Sequence, residues 1–338
     1  MRKLIALCTL ATAALSVHAL TTTANAAVRD GQHDFDFEVG HWHIHLKRRL
    51  HPLTGSNQWV EFDGTSSTRF LWNGAAQIEQ FETDGAGGHI EGLTLRTYNP
   101  TTHQWRLYWA NASNGIVVVP QIGQFANGQG EFYAQDTLNG KSIFIRFIWS
   151  KTTTDTPHFE QAFSEDGGKT WEVNWITDQT RVADTSDKPI ANAPAPQHDF
   201  DFIFGHWNYH LKRLPAGSNT WVTYDGTMTG HRIWDGRANL GETGLGLTLR
   251  TYNPETHQWY LYWAAKRDGI VSVPQIGEFK NGVGEFYAQD DFVGRGQLVR
   301  YLWTATTTDQ PHFEQAFSAD GGRTWQTNWI TDQTRISQ

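Results

Sequence analysis

The chain is poor in cysteine and in long apolar runs. Its 338 residues include one cysteine, Cys8, which lies inside an apolar run at residues 4–20. The remainder of the chain has no thiol, which excludes disulfide bonds, thiolate nucleophiles and cysteine-ligated metal sites there. Basic residues are also scarce, with 27 Lys and Arg against 35 Asp and Glu and no basic cluster longer than LKRRL. Nucleic acid is therefore not an expected partner.

The N-terminus has the pattern of a secretory signal peptide. Arg2 and Lys3 precede the apolar run, and small residues follow it up to Ala26. This order predicts cleavage after Ala26 and a periplasmic or secreted mature protein. The run is short for a membrane span and is interrupted by polar residues, so we expect no span in the mature protein. Loss of the segment changes the formal net charge from −8 to −10 because Arg2 and Lys3 leave with it.

The rest of the chain is a tandem duplication. The segment HDFDFEVGHWHIHLKR at His33 returns as HDFDFIFGHWNYHLKR at His198, and three further segments return in the same order. Each copy has roughly 150 residues, the size of one domain. A polar stretch rich in Pro and Ala lies between the copies. We predict a signal peptide, a first domain, a linker and a second domain with the bounds 1–26, 27–182, 183–197 and 198–338.

Each copy has the pattern of a β-barrel. About ten short alternating segments are separated by turn sequences such as NG, NPTTH and EDGGK, and no stretch has a sustained helical period. We predict an all-β fold of two tandem, antiparallel, up-and-down barrels of about ten strands each, because closure removes unpaired strand edges. The second copy shortens QIEQFETDGAGGHIEG, residues 77–92, to NLGETGLG. This deletion predicts a more open second cavity.

A row of histidines in HWHIHLKRR suggests a metal site at first sight. On a strand, His41, His43 and His45 share one face with Lys47 and Arg49, while the apolar residues between them share the other face. A zinc site needs three or four ligands in tight geometry, and the middle histidine is an asparagine in the second copy. The pattern predicts a solvent-exposed or inter-barrel face, and we expect no metal and no cofactor.

Two sequence elements resemble those of lipocalins. Each copy opens with Gly-His-Trp, which resembles the Gly-x-Trp signature of the first lipocalin strand, and each copy closes with the arginine of NWITDQTR. In that superfamily the tryptophan lies at the closed barrel end beneath the arginine, where the two planes stack. The resemblance implies this role for Trp42 with Arg181 and for Trp207 with Arg335. The complete pattern also resembles a bacterial lipocalin-like, calycin-type family of unknown function, which implies a barrel and assigns no reaction.

The segments SEDGGKTW at Ser164 and SADGGRTW at Ser318 fit the Asp-box pattern of sialidase propellers. The box occurs once per copy, without a propeller repeat. We therefore interpret it as a structural hairpin in which the aspartate holds the turn, and not as a sign of glycosidase activity.

Polar residues matched in both copies are the candidates for chemistry inside the barrels. Arg146 lies in the apolar strand SIFIRFIWS, so we expect it either to enter the cavity with Glu160 as its partner or to form a structural ion pair with that residue. His158 and Glu160 share a strand face and form a candidate acid–base pair, although the preceding proline favours the barrel rim. The candidate ligand-binding residues are Arg96, Arg146, Tyr133, Arg250, Arg300 and Tyr287. The candidate catalytic residues are Glu160, Glu314, Glu131, Glu285, His158 and His312.

Three functions remain open from the sequence. The resemblance to lipocalins, the 16 tryptophans of the chain and the lack of a nucleophile elbow, a phosphate-binding loop or a dinucleotide fingerprint together favour a secreted protein that binds a small hydrophobic, aromatic or amphipathic molecule. One alternative is an enzyme on the same scaffold, an isomerase, cyclase, lyase or hydrolase, in which arginine polarises a carbonyl and glutamate or tyrosine transfers protons. The other is a structural or assembly module with filled barrels, joined through the histidine-bearing strands.

Overall fold

Each copy folds into a closed antiparallel barrel of ten strands. The structure is a computed structural model that describes residues 29–183, 197–292 and 294–337. The expected signal peptide, and all of the expected linker except its first and last residues, lie outside the described residues. Within the described ranges, no helix combines the length and the hydropathy that a membrane span requires.

The strands follow the chain order without interruption. The first barrel consists of β1 (Gly40–Arg49), β2 (Trp59–Leu71), β3 (Ala76–Gly85), β4 (Gly88–Asn99), β5 (Gln104–Asn111), β6 (Gln121–Ala126), β7 (Gln129–Leu138), β8 (Lys141–Ser150), β9 (His158–Ser164) and β10 (Glu172–Val182). The second consists of β11 (Gly205–Arg213), β12 (Val222–Ile233), β13 (Ala238–Thr243), β14 (Gly246–Asn253), β15 (Gln258–Ala265), β16 (Gln275–Lys280), β17 (Val283–Phe292), β18 (Arg295–Thr304), β19 (His312–Ser318) and β20 (Gln326–Ser337). Within the described ranges, four short 3₁₀ helices accompany the strands: Asp36–Glu38, Trp72–Gly74, Asp201–Ile203 and Trp234–Gly236.

Each barrel is an up-and-down meander that closes on itself. Every strand pairs with its sequence neighbours, and the last strand of each copy pairs with the first, so that Trp42 lies opposite Arg181 and Trp207 opposite Arg335. Closure leaves no free sheet edge, which is the physical reason that a run of short alternating segments adopts this topology. The predicted fold class, two tandem antiparallel barrels of about ten strands, is confirmed.

The first strand separates an apolar inner face from a polar outer face. Trp42, Ile44 and Leu46 are fully buried inside the barrel, while His43 is exposed. The ring of His45 lies on the outer face, where its Nδ1 is 3.0 Å from an aspartate oxygen of β2. The structure therefore confirms that the histidine row occupies the outside of the barrel.

The two barrels pack together through the outer faces of β3–β5 and β13–β15. One apolar cluster spans both barrels and includes Ile78, Leu93, Leu95, Tyr108, Ala110, Leu240, Leu247, Leu249, Tyr262 and Ala264. The contacts are approximately two-fold symmetric. The Tyr108 hydroxyl accepts a hydrogen bond from the Val271 N–H at 3.2 Å, and the Tyr262 hydroxyl accepts one from the Val117 N–H at 3.1 Å. This interface corrects the expectation that the histidine-bearing strands β1 and β11 join the barrels.

One ion pair breaks the symmetry of the interface. The Nη2 of Arg237 lies 2.9 Å from both carboxylate oxygens of Glu91, and both residues are buried. Arg237 follows a 3₁₀ turn in the second barrel, whereas Ala75 stands at the matching position of the first barrel. A buried charge pair is stable only in a fixed geometry. The pair therefore ties the longer β3–β4 hairpin to the second barrel.

The Asp-box segments form hairpin turns at the start of the last strand of each barrel. Asp166 accepts hydrogen bonds from the backbone N–H groups of Lys169 and Thr170, each at 3.0 Å, and from the Thr170 hydroxyl at 2.7 Å. The Thr170 backbone bond is the main reason that the pKa of Asp166 falls to about 2. The same bonds recur around Asp320. In both copies the aspartate is fully engaged in holding a turn.

Candidate functional site

The interior of the second barrel contains a cavity of about 140 Å³. Its walls are mainly apolar, and six aromatic side chains line it: Tyr209, Trp263, Tyr301, Trp303, Phe313 and Trp329. Leu245, in the turn between β13 and β14, also lines the cavity and is 40% exposed. The cavity therefore reaches the protein surface beside the shortened hairpin.

In the first barrel, the longer hairpin covers this end of the interior. Phe81 on β3 and Ile90 on β4 are buried, and they pack in one cluster with Trp109 and Trp175. The ring centroids of Phe81 and Trp109 are 5.8 Å apart in an edge-to-face arrangement. The extra residues of the first copy thus supply apolar side chains that fill the barrel end.

In the second barrel, the shortened hairpin leaves the matching tryptophans uncovered. Strand β13 ends at Thr243, which occupies the position of Phe81, and β14 begins three residues later. Trp263 and Trp329, the counterparts of the two covered tryptophans, line the cavity instead. The cavity lies where the deletion in the sequence predicted an opening.

Arg250 provides the only cationic side chain of the cavity wall among the described residues. Its side chain is 5% exposed, and its Nη1 donates a hydrogen bond to the Asn239 Oδ1 at 2.9 Å. Its buried Nε has no hydrogen-bond partner, and no described carboxylate pairs with the guanidinium. Burial lowers the pKa of Arg250 to about 9, because the low dielectric of the interior disfavours the charged form.

The matching arginine of the first barrel is neutralised within the protein. The Nη2 of Arg96 lies 2.6 Å from the Glu79 Oε2 and 3.2 Å from the Glu38 Oε2, and all three side chains are buried. Burial raises the pKa of Glu38 to about 8, although Arg96 opposes this shift. Burial therefore favours the protonated form of Glu38, while the adjacent Arg96 guanidinium favours its ionised form.

Both arginines occupy the same place in their barrels. The guanidinium carbon of Arg96 is 5.2 Å from the ring centroid of Phe35, and that of Arg250 is 5.1 Å from the ring centroid of Phe200. Each arginine also lies on the fourth strand of its barrel and faces the interior. The two environments can therefore be compared position by position.

The second barrel lacks both internal carboxylates. Ile203 occupies the position of Glu38, at the end of the 3₁₀ helix before the first strand, and Gly241 occupies the position of Glu79. Gly241 lines the cavity, and a Cβ atom placed on it would lie 3.3 Å from the Nη1 of Arg250. The position from which the Glu79 side chain extends in the first barrel therefore holds no side chain in the second, and the Arg250 guanidinium lies directly beside it.

The other polar groups of the cavity are hydroxyls and amides. Burial raises the pKa of the Tyr301 hydroxyl, and the Oε1 of Gln333 is buried without a hydrogen-bond partner among the described residues. No aspartate, glutamate or histidine is among the described residues that line the cavity. The cavity thus offers one positive charge and several neutral hydrogen-bonding groups.

Several predicted site residues lie on the outer faces of the barrels. On β8 the inward positions are taken by apolar residues, and Arg146 points outward and stacks over Trp171 at 4.6 Å. Tyr133 is 45% exposed, and its hydroxyl donates a hydrogen bond to Glu131 at 2.7 Å. The same contacts recur among Arg300, Trp325, Tyr287 and Glu285. These residues do not meet the cavity.

The predicted Arg146–Glu160 pair is replaced by other contacts on the same outer surface. Glu160 instead contacts His158, whose Nε2 lies 3.2 Å from the Glu160 Oε1, and the other ring nitrogen lies 2.7 Å from Asp178. Burial lowers the pKa of His158, but the hydrogen bonds to Asp178 and Glu160 outweigh it and raise the pKa overall. His312, Glu314 and Asp332 repeat this arrangement. The structure therefore brings His158 and Glu160 together, away from the cavity.

The predicted barrel-end pairs meet in the structure. The guanidinium carbon of Arg181 is 4.0 Å from the ring centroid of Trp42, and Arg335 lies at the same distance over Trp207. Each arginine also donates hydrogen bonds to two backbone carbonyls of the segment before the first strand. These contacts hold the entering chain against the closed end of each barrel.

Among the described residues, one group of three side chains has the spacing of metal ligands. Glu82, Asp84 and His89 lie together on the exposed part of the β3–β4 hairpin. The His89 Nδ1 is 2.9 Å from the Asp84 Oδ1, so these residues already bind one another. Their proximity follows from cross-strand pairing on a polar surface.

Sequence reasoning selected Arg96 and Arg250 because both copies retain them, and it treated them as equivalent. It missed Glu38, Glu79 and their replacements, which decide the charge of each interior. The signal was present in the sequence as a difference between the copies, Glu38 against Ile203 and a shortened segment around Glu79. A search restricted to matched residues could not detect it.

No family model and no curated protein matches the chain. Among solved structures, the chain is similar to a protein of unknown function from the DUF3598 family of Nostoc punctiforme. The two sequences are 12% identical, the match covers 91% of this chain and 100% of that chain, and the TM-score is 0.26. A vaccine antigen, the double mutant of transferrin binding protein B from Haemophilus parasuis, has 8% identity, coverage of 87% and 75%, and a TM-score of 0.20. These scores are too low to establish a shared fold, so the strand pairing of this chain defines its architecture.

Proposed function

We propose that the protein is an exported small-molecule binding protein whose second barrel holds one aromatic or amphipathic molecule. The observation that carries the proposal is the cavity of about 140 Å³ inside that barrel. Its aromatic walls and few polar groups have the composition of a ligand pocket. An engineered cavity of roughly 150 Å³ in another protein binds benzene, so the size suits a molecule with a single ring.

The chemistry of the lining favours binding over catalysis. A proton-transfer reaction requires a base or acid with a pKa near the working pH. Among the described lining residues, the candidates for that role are tyrosines, and burial raises the pKa of Tyr301 further from neutrality. The matched carboxylates on which an enzyme would depend, Glu131 and Glu160 with their counterparts, lie on the outer faces.

The lipocalin-like character and the export of the protein are parts of the same proposal. A closed up-and-down barrel with Trp42 stacked beneath Arg181, and the same pair in the second copy, supports the first part. The basic start, apolar run and small residues up to Ala26 support the second. A carrier of small molecules outside the cytoplasm needs no cofactor and no nucleic-acid partner.

The test is native mass spectrometry of residues 27–338 purified from the extracytoplasmic fraction of the native host. We expect one small molecule per chain in the wild type. Thr248→Phe places a ring inside the cavity and should eliminate the bound molecule, because Thr248 lines the wall. Thr227→Phe makes the same replacement on the exposed outer face of β12 and should retain the molecule.

A second arm uses a neutral probe, 2-phenylethanol, in a calorimetric titration of the same three proteins. Binding by the wild type and by Thr227→Phe, but not by Thr248→Phe, supports the proposal. A chain that carries no molecule from the host and binds no single-ring probe would contradict it, as would equal binding by both phenylalanine variants.

A further inference from the structure

Arg250 is a buried charge for which the described part of the protein provides only one neutral acceptor. The Asn239 amide oxygen accepts one hydrogen bond from the Nη1, while the buried Nε has none. An isolated buried charge costs several kcal/mol unless an opposite charge and hydrogen bonds compensate it. The first barrel meets this cost at the same position with Glu38 and Glu79. In the second barrel no described residue supplies the compensating carboxylate.

The first barrel also indicates where the compensating group would lie. The carboxylate of Glu79 approaches the Nη2 of Arg96 at 2.6 Å. In the second barrel the matching residue is Gly241, which lines the cavity and supplies no carboxylate. A Cβ atom placed on it would lie 3.3 Å from the Nη1 and 3.7 Å from the Nη2 of Arg250, so the guanidinium lies directly beside this position. A carboxylate carried by a ligand can therefore take the place that the Glu79 carboxylate takes in the first barrel.

The walls next to Arg250 suit a flat apolar group. Arg250 lies 5.7 Å from the ring of Trp303, and Tyr301, Trp263 and Trp329 continue the aromatic lining toward the exposed Leu245. The cavity thus has a cation inside, aromatic walls and an open end. A guanidinium binds a carboxylate through two parallel hydrogen bonds, which fixes the orientation of the bound molecule.

We propose that the cavity of the second barrel recognises a single-ring molecule that carries a carboxylate, with Arg250 as the counter-charge and the ring among the tryptophans. The inference rests on the proposed function and names its ligand class. The carboxylate replaces the internal Glu79 carboxylate of the first barrel. The ligand enters with its ring toward the open end, beside the β13–β14 hairpin.

The test compares phenylacetate with 2-phenylethanol, which has nearly the same shape and no charge, by calorimetric titration. We expect the wild type to bind phenylacetate at least about tenfold more tightly, with an affinity that falls as salt rises. Gly241→Glu restores the internal partner of the first barrel and should lower the phenylacetate affinity by roughly a hundredfold. Gly241→Gln adds nearly the same volume without the charge and should weaken both probes to a similar, smaller extent.

The outcomes separate the inference from the proposed function. If the wild type binds 2-phenylethanol as tightly as phenylacetate, the barrel is a pocket and the carboxylate inference is overturned. If Gly241→Glu and Gly241→Gln reduce phenylacetate binding equally, volume and not charge is responsible, and the inference is again overturned. If neither probe binds, the carboxylate inference is overturned, and the proposed function fails as well when the chain also carries no molecule from its host. Arg250→Met replaces Gly241→Glu if that variant does not fold, and it must remove the preference for phenylacetate.

Discussion

The two barrels have the same strand order and the same inward arginine, but they differ in what surrounds that arginine. Arg96 faces two carboxyl groups, those of Glu38 and Glu79, whereas Arg250 faces one amide and a cavity. Both barrels retain the stacked Trp–Arg pair at the closed end. The recurring Trp–Arg pair therefore serves the fold, and the differences around the inward arginine indicate which interior is available to a ligand.

The second difference, the length of one hairpin, changes both the barrel end and the interface. In the first barrel, the extended β3–β4 hairpin buries Phe81 and Ile90 and carries Glu91 to its partner Arg237 in the second barrel. The short β13–β14 hairpin does neither. The same insertion thus fills one barrel and ties it to its neighbour, while the neighbour keeps an open interior.

The largest expected difference between the barrels is in the loss of stability when the interior arginine of each is replaced. Arg96→Met leaves two buried carboxyl groups without a cation, and loss of one partner of a buried pair costs about 3–5 kcal/mol. Arg250→Met removes a charge that has no carboxylate partner among the described residues, so we expect a change within about 1 kcal/mol or a gain. Urea unfolding of the two variants and the wild type measures both values.

Equal losses of stability in the two variants would contradict this comparison. Such a result would mean that an unrecognised group neutralises Arg250 in the free protein. Circular dichroism at the start of each titration verifies that both variants begin folded.

A smaller expected difference between the barrels concerns the pH dependence of the unfolding free energy. Burial raises the pKa of Glu38 from 4.5 to about 8, so the folded protein binds a proton more tightly than the unfolded chain in this interval. The stability from this group is therefore complete at low pH and is lost as the pH rises toward 8, by an amount on the order of a few kcal/mol. Glu38→Gln should flatten the dependence of unfolding free energy on pH in that range.

The matched control is Glu131→Gln, which changes an exposed carboxylate on the outer face of the same barrel. It should leave the pH dependence as in the wild type. A Glu38→Gln protein with an unchanged slope would show that the interior of the first barrel does not titrate. The second barrel has isoleucine at this position and contributes no such dependence.

The smallest expected difference is between the losses of stability caused by removing the two arginines of the closed barrel ends, and it should be close to zero. Arg181→Met and Arg335→Met each remove a cation–π contact at 4.0 Å and two hydrogen bonds to backbone carbonyls. We expect each to lower the unfolding free energy by about 1–2 kcal/mol, and by similar amounts, because these contacts are common to both barrels. The Nε of Arg335 also donates a hydrogen bond to Asp309 at 2.7 Å, whereas the Nε of Arg181 lies 3.7 Å from Asp155, but both aspartates are exposed and such pairs contribute little. Thermal unfolding checks this. A large difference between the two variants would show that the Trp–Arg pair does not contribute equally to the stability of the two barrels.

The strand pattern predicted most of the fold and little of the site. The alternation in HWHIHL assigned inner and outer faces of β1 correctly, because a single apolar face must be buried. The pattern around Arg146 was misleading, since β8 also carries apolar residues such as Phe144 on its exposed side. Periodicity cannot tell which of two apolar faces is the inner one. That choice depends on the register of the neighbouring strands.

The charge balance of each interior depends on residues far apart in the sequence. Glu38 precedes the first strand, Glu79 lies on the third and Arg96 on the fourth, and only barrel closure brings them together. The sequence did contain the exchange of Glu38 for Ile203. Its meaning became visible only when the structure showed that both positions face the same arginine.

The most direct test of the account is a crystal structure of residues 27–338 in complex with phenylacetate. We predict one molecule per chain, inside the second barrel, with its carboxylate within hydrogen-bond distance of the Arg250 guanidinium and next to Gly241. The interior of the first barrel should remain occupied by Glu38, Glu79 and Arg96. The claim is that only the second barrel uses a ligand carboxylate where the first barrel uses its own Glu79. A phenylacetate carboxylate bound elsewhere, or bound equally well beside Arg96, would contradict it.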